Sequence, residues 1–267
     1  MRRDKILAVL HMMVLLALIF WNYVSNSGMI NNKTVGSVSE NLRNLFTPAG
    51  YAFSIWGIIY LGLIALGIYM LVLAFKSEVK DKTISKALPT LILAHLGNAL
   101  WLWFWLTEQT GISVIVMVFI LLMLTLTALK LNMERWDAST KYIALVWWPI
   151  DLYFGWISVA TVANISAYLS KLNWNGGLSE VTWTIIMISI TSLLGLFMIF
   201  NRNMREYAAV FIWAFIAIAV RHSSEIPSIT WTAIIGAAVL LIASGIHAQK
   251  NRSTLPFIRK SSPQNEM

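Results

Sequence analysis

Apolar residues in this chain run in long, nearly uninterrupted blocks. Eight can be read, at 6–24, 50–75, 87–106, 111–132, 142–169, 182–201, 206–222 and 228–249. An α-helix rises ~1.5 Å per residue, so ~20 residues cross ~30 Å of hydrocarbon. Each block therefore predicts one membrane-spanning helix. Most connections between blocks are short, which favours antiparallel neighbours. The exception is Ser25 to Thr47, rich in Asn, Ser and Gly. A loop of that length is a lid, a binding loop or disorder. The first block follows Met-Arg-Arg-Asp-Lys and has the shape of a signal peptide, with a weak small-residue site at Ser25 and Ser27. It is read here as a helix because the charge topology works with it. Spans six to eight do not echo the aromatic pattern of the first five, so no internal repeat is inferred.

Composition agrees with this pattern. Hydrophobic residues make up 58% of the chain and the mean hydropathy is +0.70, whereas globular domains are ~45–50% apolar. The absence of Cys excludes disulfides, thiolate metal sites and a cysteine nucleophile. A net charge of +8 raises nucleic acid as a partner, but the basic residues lie between apolar spans, where they orient a membrane protein. Nucleic-acid binding is excluded on that ground. One side receives sixteen of the twenty Lys and Arg, in the termini and alternate loops; the other has only Lys33, Arg43, Lys171 and Arg221. The positive-inside rule then places both termini in the cytoplasm. A basic, Pro-containing tail follows Lys250 and is expected to be loose and solvated.

The fifth span, within Trp147 to Lys171, is long enough to cross a bilayer yet carries Asp151, Trp156, Thr161 and Asn164. Polar groups in hydrocarbon are costly and face a protein interior or a cavity. At ~100° per residue Tyr153, Trp156, Ala160 and Asn164 share one face. In the second span Phe53, Trp56, Tyr60 and Gly67 share a face, after Pro48 at a well-placed helix start. In the third, Asn98, Trp101 and Trp105 do, with His95 beside them. Trp103 and Trp105 lie near the outer end and are read as an interfacial aromatic belt. With both termini inside, Trp56, Asn98, Trp101 and Asn164 fall in the outer half of the membrane, on the side of the long loop. That common depth points to a cavity beneath a lid. Trp183, Trp213 and Trp231 read as belt or packing residues.

Titratable groups offer less. Asp151 is an intramembrane carboxylate and so a functional suspect, but it is turned ~140° from Trp156 on the helix and is expected to face another helix. His95 reads as a core histidine, and His11 and His247 have no partner visible in the sequence. No His or carboxylate pair has metal-ligand spacing, and no Ser/His/Asp or phosphate-binding pattern occurs. The expectation is no metal, no cofactor and no conventional catalytic residue.

At these residues the sequence resembles the translocator protein family, also called tryptophan-rich sensory proteins or peripheral benzodiazepine receptors. The matching features are Pro48, Ile55-Trp56 and Tyr60 in the second span, and Asn98 with Trp101 in the third. In the fifth they are Trp156, Ala160, Thr161 and Asn164 in the spacing Trp-x-x-x-Ala-Thr-x-x-Asn. The resemblance implies an all-α integral membrane protein, with a TspO-like five-helix transmembrane bundle at 1–174. Three additional transmembrane helices at 175–250 and a flexible tail at 251–267 fall outside the family's usual five. It also implies porphyrins or related tetrapyrroles as ligands, in a pocket formed by Phe53, Trp56, Tyr60, Asn98, Trp101, Tyr153, Trp156, Ala160 and Asn164. Light-dependent porphyrin breakdown, implied by some bacterial members, would assign chemistry to Trp56 and Trp156. The sequence departs from the family at Thr47-Pro48-Ala49-Gly50, which lacks the family's entry aromatic. Val162, Tyr168 and Lys171 fit a proposed cholesterol-contact pattern. The expected partners are the ligand and the lipid bilayer, a homodimer is allowed, and the expected location is a bacterial cytoplasmic membrane. Three functions follow: a membrane receptor or sensor for a planar hydrophobe, a transporter using Asp151, Arg221 and His222, or a photochemical enzyme.

Overall fold

The computed structural model describes residues 2–42, 44–76, 82–174 and 176–251, so the tail expected at 251–267 falls, apart from Asn251, outside them. The described residues form helices joined by turns and short loops. α1 is Arg2–Asn26, α2 the short Val35–Asn41, and α3 Ile55–Lys76, entered through a 3-10 turn at Gly50–Ser54. α4 is Thr83–Leu106 and α5 Thr110–Lys130. α6, Thr140–Tyr142, continues through a π-helical turn, Ile143–Trp147, into α7, Trp148–Lys171. α8 is Glu180–Arg202, α9 Arg205–His222 and α10 Pro227–Lys250. An isolated bridge between Ile30 and Lys33 is the sole β-type pairing among the described residues.

Local chemistry accounts for several helix ends. Ser179 caps α8 and Ser139 caps α6 by accepting backbone N–H bonds from Thr182 and Tyr142. α8 closes on Asn203 in the left-handed region, and α10 begins with Pro227 in its first turn. Pro149, in the first turn of α7, comes two residues after the π-helical turn ends at Trp147; lacking an N–H, it sits where the hydrogen-bond ladder changes step.

The first five long helices close into a ring: α1 packs on α3 and α4, α4 on α5, α5 on α7, and α7 back on α3. The expected five-helix bundle is this ring. α9 then docks on the far side of α7, with α8 and α10 against it. At Gly155 of α7 a Cβ would stand 2.8 Å from the Tyr207 carbonyl of α9, so only glycine permits this approach. Contacts at one end of the bundle join the start of α1 to the end of α3 (Lys5 over Phe75) and the start of α4 to α6 (Thr83 to Tyr142). At the same end Arg135, after α5, reaches the end of α8, and Asn203 meets His247 near the end of α10. The helices thus alternate in direction, and the chain starts and finishes at one end, as the charge pattern requires.

Among the described residues, seven helices are long and apolar enough to cross a membrane. Ile58, Leu61, Ile68 and Phe75 of α3, or Leu193 and Phe197 of α8, point outward where lipid would meet them. The eighth expected span, α9, differs. Its 18 residues include Arg205, Glu206 and Arg221 at the ends, and at ~1.5 Å per residue it is ~27 Å long. Tyr207, Phe211, Phe215 and Ile218 are all buried. Protein covers most of this helix, leaving Ile216 and Val220 exposed, which is why it tolerates charged ends and a short length.

Candidate functional site

Three helices send aromatic rings toward one place near the end of the ring that carries α2. Phe53 comes from the 3-10 turn, Trp56 from α3, Trp101 and Trp105 from α4, and Trp156 from α7. Together with Pro48, Met117, Ala160 and Asn164 they line a slot closed from above by Val35 and Ser39 of α2. Phe53 meets Trp156 edge-on at 5.9 Å between centroids, and Trp101 stacks on Trp105 at 5.7 Å. These are the offset and edge arrangements that aromatic quadrupoles favour. The slot holds about 40 Å³, the space of about one water. Beside it, between α1 and α3, lies a groove of about 550 Å³ that reaches Asn22, Tyr23 and Gly57. Val35, Phe53, Trp56 and Trp101 border both spaces.

The remaining sequence-predicted residues form the floor. Tyr60 stacks on Trp56 at 5.1 Å, and Tyr153 lies 5.9 Å from Trp56. Asn98 donates from Nδ2 to the Tyr153 hydroxyl, which donates to the Ala94 carbonyl. Asn98 Oδ1 and the Tyr60 hydroxyl are buried without hydrogen-bond partners. Asn164 faces the slot but its amide is engaged: Oδ1 accepts from Trp101 Nε1 at 3.3 Å, and Nδ2 donates to Ser113 Oγ at 3.0 Å. Asn164 thereby ties α7 to α4 and α5. The nine predicted residues are contiguous. Phe53, Trp56, Trp101, Trp156, Ala160 and Asn164 line the slot; Tyr60, Tyr153 and Asn98 lie below it.

Trp105 corrects the sequence reading. Expected in an interfacial belt, it is buried, and its Nε1 donates to the Val35 carbonyl of α2 at 3.2 Å. The available signal was its spacing, four residues after Trp101 and so on the same face. Trp103 fits the belt expectation, exposed and stacked with Trp21.

The long loop is a built lid. Thr34 and Ser37 cap α2 reciprocally, each hydroxyl accepting from the other's backbone N–H. Val38 and Phe46 bury their side chains beneath it. Lys33 pairs with Glu108 at 2.6 Å, half-exposed, a contact worth ~1 kcal/mol or less. Besides Trp105 of α4, further supports come from α9. Arg221 Nη1 donates to the Thr47 carbonyl, His222 Nε2 to the Leu45 carbonyl, and Trp213 Nε1 to the Ala52 carbonyl. The Ala49 N–H donates to the Ala217 carbonyl. Trp213, expected as belt or simple packing, thus holds the segment that leads into the slot, whereas Trp231 is exposed.

Other candidates lie elsewhere. Asp151 is buried at the opposite end of α7, turned from the slot as its helical angle predicted. Arg221 and His222 sit at the far end of α9 from Asp151's neighbour Glu206, ~22 Å along the helix axis. His11 and His95, far apart in sequence, meet with Nε2 atoms 3.3 Å apart, one donating to the other. This gives His11 a partner that sequence spacing could not reveal. His247 likewise bonds Asn203. Near the end of α7, Lys171 Nζ donates to the Glu108 carbonyl and Tyr168 lies against Gly111, so both join loop packing.

The model of the TSPO-like protein family matches residues 8–246, which spans all eight long helices rather than the first five alone. No curated protein and no solved structure matches the chain.

Proposed function

The chain belongs to the TSPO-like protein family, and we propose that this multi-pass membrane protein is a receptor or sensor binding a planar hydrophobic ligand of the tetrapyrrole class between α3, α4 and α7. The observation that carries this reading is the convergence of Trp56, Trp101, Trp105 and Trp156 beneath one folded lid. Flat apolar ligands gain from stacking on such rings, and a few polar atoms fix their edges. The Tyr60 hydroxyl and Asn98 Oδ1 are the buried polar atoms available for that task. Asn164 lines the slot with its amide engaged by Trp101 and Ser113, so it supports the wall.

The slot alone is too small for a tetrapyrrole, since ligand pockets run ~300–1,000 Å³. Rotation of Phe53, Trp56 and Trp101 would join it to the neighbouring groove, and the combined space falls in that range. Binding is therefore coupled to ring movement under the lid. A direct test adds protoporphyrin IX to purified protein and follows the shift of its Soret band. Ala160→Phe fills the slot from α7 and is expected to weaken the complex at least tenfold. Equal binding by wild type and Ala160→Phe would place the ligand elsewhere. Photochemical breakdown is read from the same complex: illumination in oxygen yields a new product absorption if Trp56 and Trp156 take part, and none if the protein only binds. Transport through Asp151, Arg221 and His222 has no supporting geometry, because Arg221 and His222 hold the lid at the far end from Asp151.

A further inference from the structure

At the end of the bundle opposite the slot, three carboxyl groups meet. Glu134 comes from the loop after α5, Asp151 from the first turn of α7 and Glu206 from the first turn of α9. One oxygen of each lies within 4.8 Å of the other two. Asp151 is fully buried, and neither of its oxygens has a hydrogen-bond partner. Glu134 Oε1 and Glu206 Oε2 are also buried and unpartnered, while the Trp148 side chain bonds Glu206.

The basic groups nearby do not neutralise this cluster. Arg202 donates to the Ala128 and Met133 carbonyls, and Arg135 to the Asn201 carbonyl. His247 bonds Asn203. Arg205 faces the site, yet among the described residues no Lys, Arg or His pairs with any of the three carboxyls, and Arg205 Nε is itself unpartnered. Buried acceptors without donors are costly, and a charge in such a place is paired or coordinates a metal.

The geometry supplies what coordination needs. A Ca²⁺ ion ~2.3–2.6 Å from each ligand spans oxygens up to ~5 Å apart. Glu134 and Glu206 also line a cavity of about 380 Å³, with Arg205, Asp137 and Trp147, which gives an entry path and room for water ligands. Asp151 does not line that cavity, so it would be the innermost ligand. An all-oxygen anionic donor set selects hard divalent ions over softer metals. We propose that Glu134, Asp151 and Glu206 bind one hard divalent cation, joining the loop after α5 to α7 and α9. The proposal does not depend on the aromatic slot, and either can fail alone.

The test uses the full-length protein in detergent, stripped with EDTA and titrated with Mn²⁺, with free Mn²⁺ read by electron paramagnetic resonance. One saturable Mn²⁺ per chain, displaced by Ca²⁺, is expected. Glu134→Gln and Glu206→Gln should each weaken binding at least tenfold, and Asp151→Asn should abolish it. Should Asp151→Asn fail to fold, Glu134→Gln still decides, because that residue lies in a loop and its folding can be checked by its melting temperature without metal. No saturable Mn²⁺ binding by wild type would overturn the proposal. So would unchanged affinity in both glutamine variants.

Discussion

Asn164 shows how one side chain can serve the site without facing a ligand. The sequence places it in the pocket, and its amide connects Trp101 on α4 with Ser113 on α5. Asn164→Ala removes both bonds and leaves buried donors and acceptors unmatched. Interhelical hydrogen bonds in membranes contribute modestly, so the expected loss of stability is about 1 kcal/mol. Denaturation in detergent reads that loss. A stability equal to wild type would mean the network is replaced by other contacts. The residue identities at the slot were legible because helical spacing sets which side chains share a face. Their hydrogen-bond partners were not, since Trp101 and Asn164 lie on different helices and sequence does not state which helices touch. The same gap hid the His11–His95 pair and the meeting of Glu134, Asp151 and Glu206.

Among the elements, α9 carries the part of the fold that the sequence left without a role. Apolar blocks make membrane helices easy to find, but their hydrophobicity does not say which face meets lipid and which meets protein. α9 reads as one more span, yet it is short, charged at both ends and buried on most of its circumference, with Ile216 and Val220 left exposed. Its contacts explain why: it lies against α7 and holds the lid through Trp213, Arg221 and His222. Replacing Arg221 and His222 together by Ala should raise hydrogen exchange across Val35–Asn41 severalfold while α4 and α7 remain protected. Unchanged exchange would show that Trp105 and the Lys33–Glu108 pair hold the lid without α9. At the α7–α9 contact itself, Gly155→Ala places a Cβ 2.8 Å from a backbone carbonyl that cannot turn aside. Overpacking of this kind costs about 1–3 kcal/mol, seen as a lower melting temperature in detergent. A neutral effect would mean the two helices separate freely.

For the whole molecule, a five-helix ring and a three-helix flank act as one structure. The expected division at residue 174 follows the change in aromatic pattern, while the family match runs through it to residue 246. Helix number, the alternation of helix direction and the location of the aromatic rings could be read from block length, charge and spacing. The lid's internal helix and its attachment to α9 could not, because Ser25 to Thr47 is polar and its order comes from partners more than 60 residues away. The account rests on the rings of α3, α4 and α7 forming a ligand site, and tryptophan fluorescence tests it most directly. Protoporphyrin IX titrated into wild-type protein should quench emission with saturation, and the affinity should fall at least tenfold when Trp56 and Trp156 are both replaced by Phe. Saturable binding of undiminished affinity in that double variant would contradict the assignment.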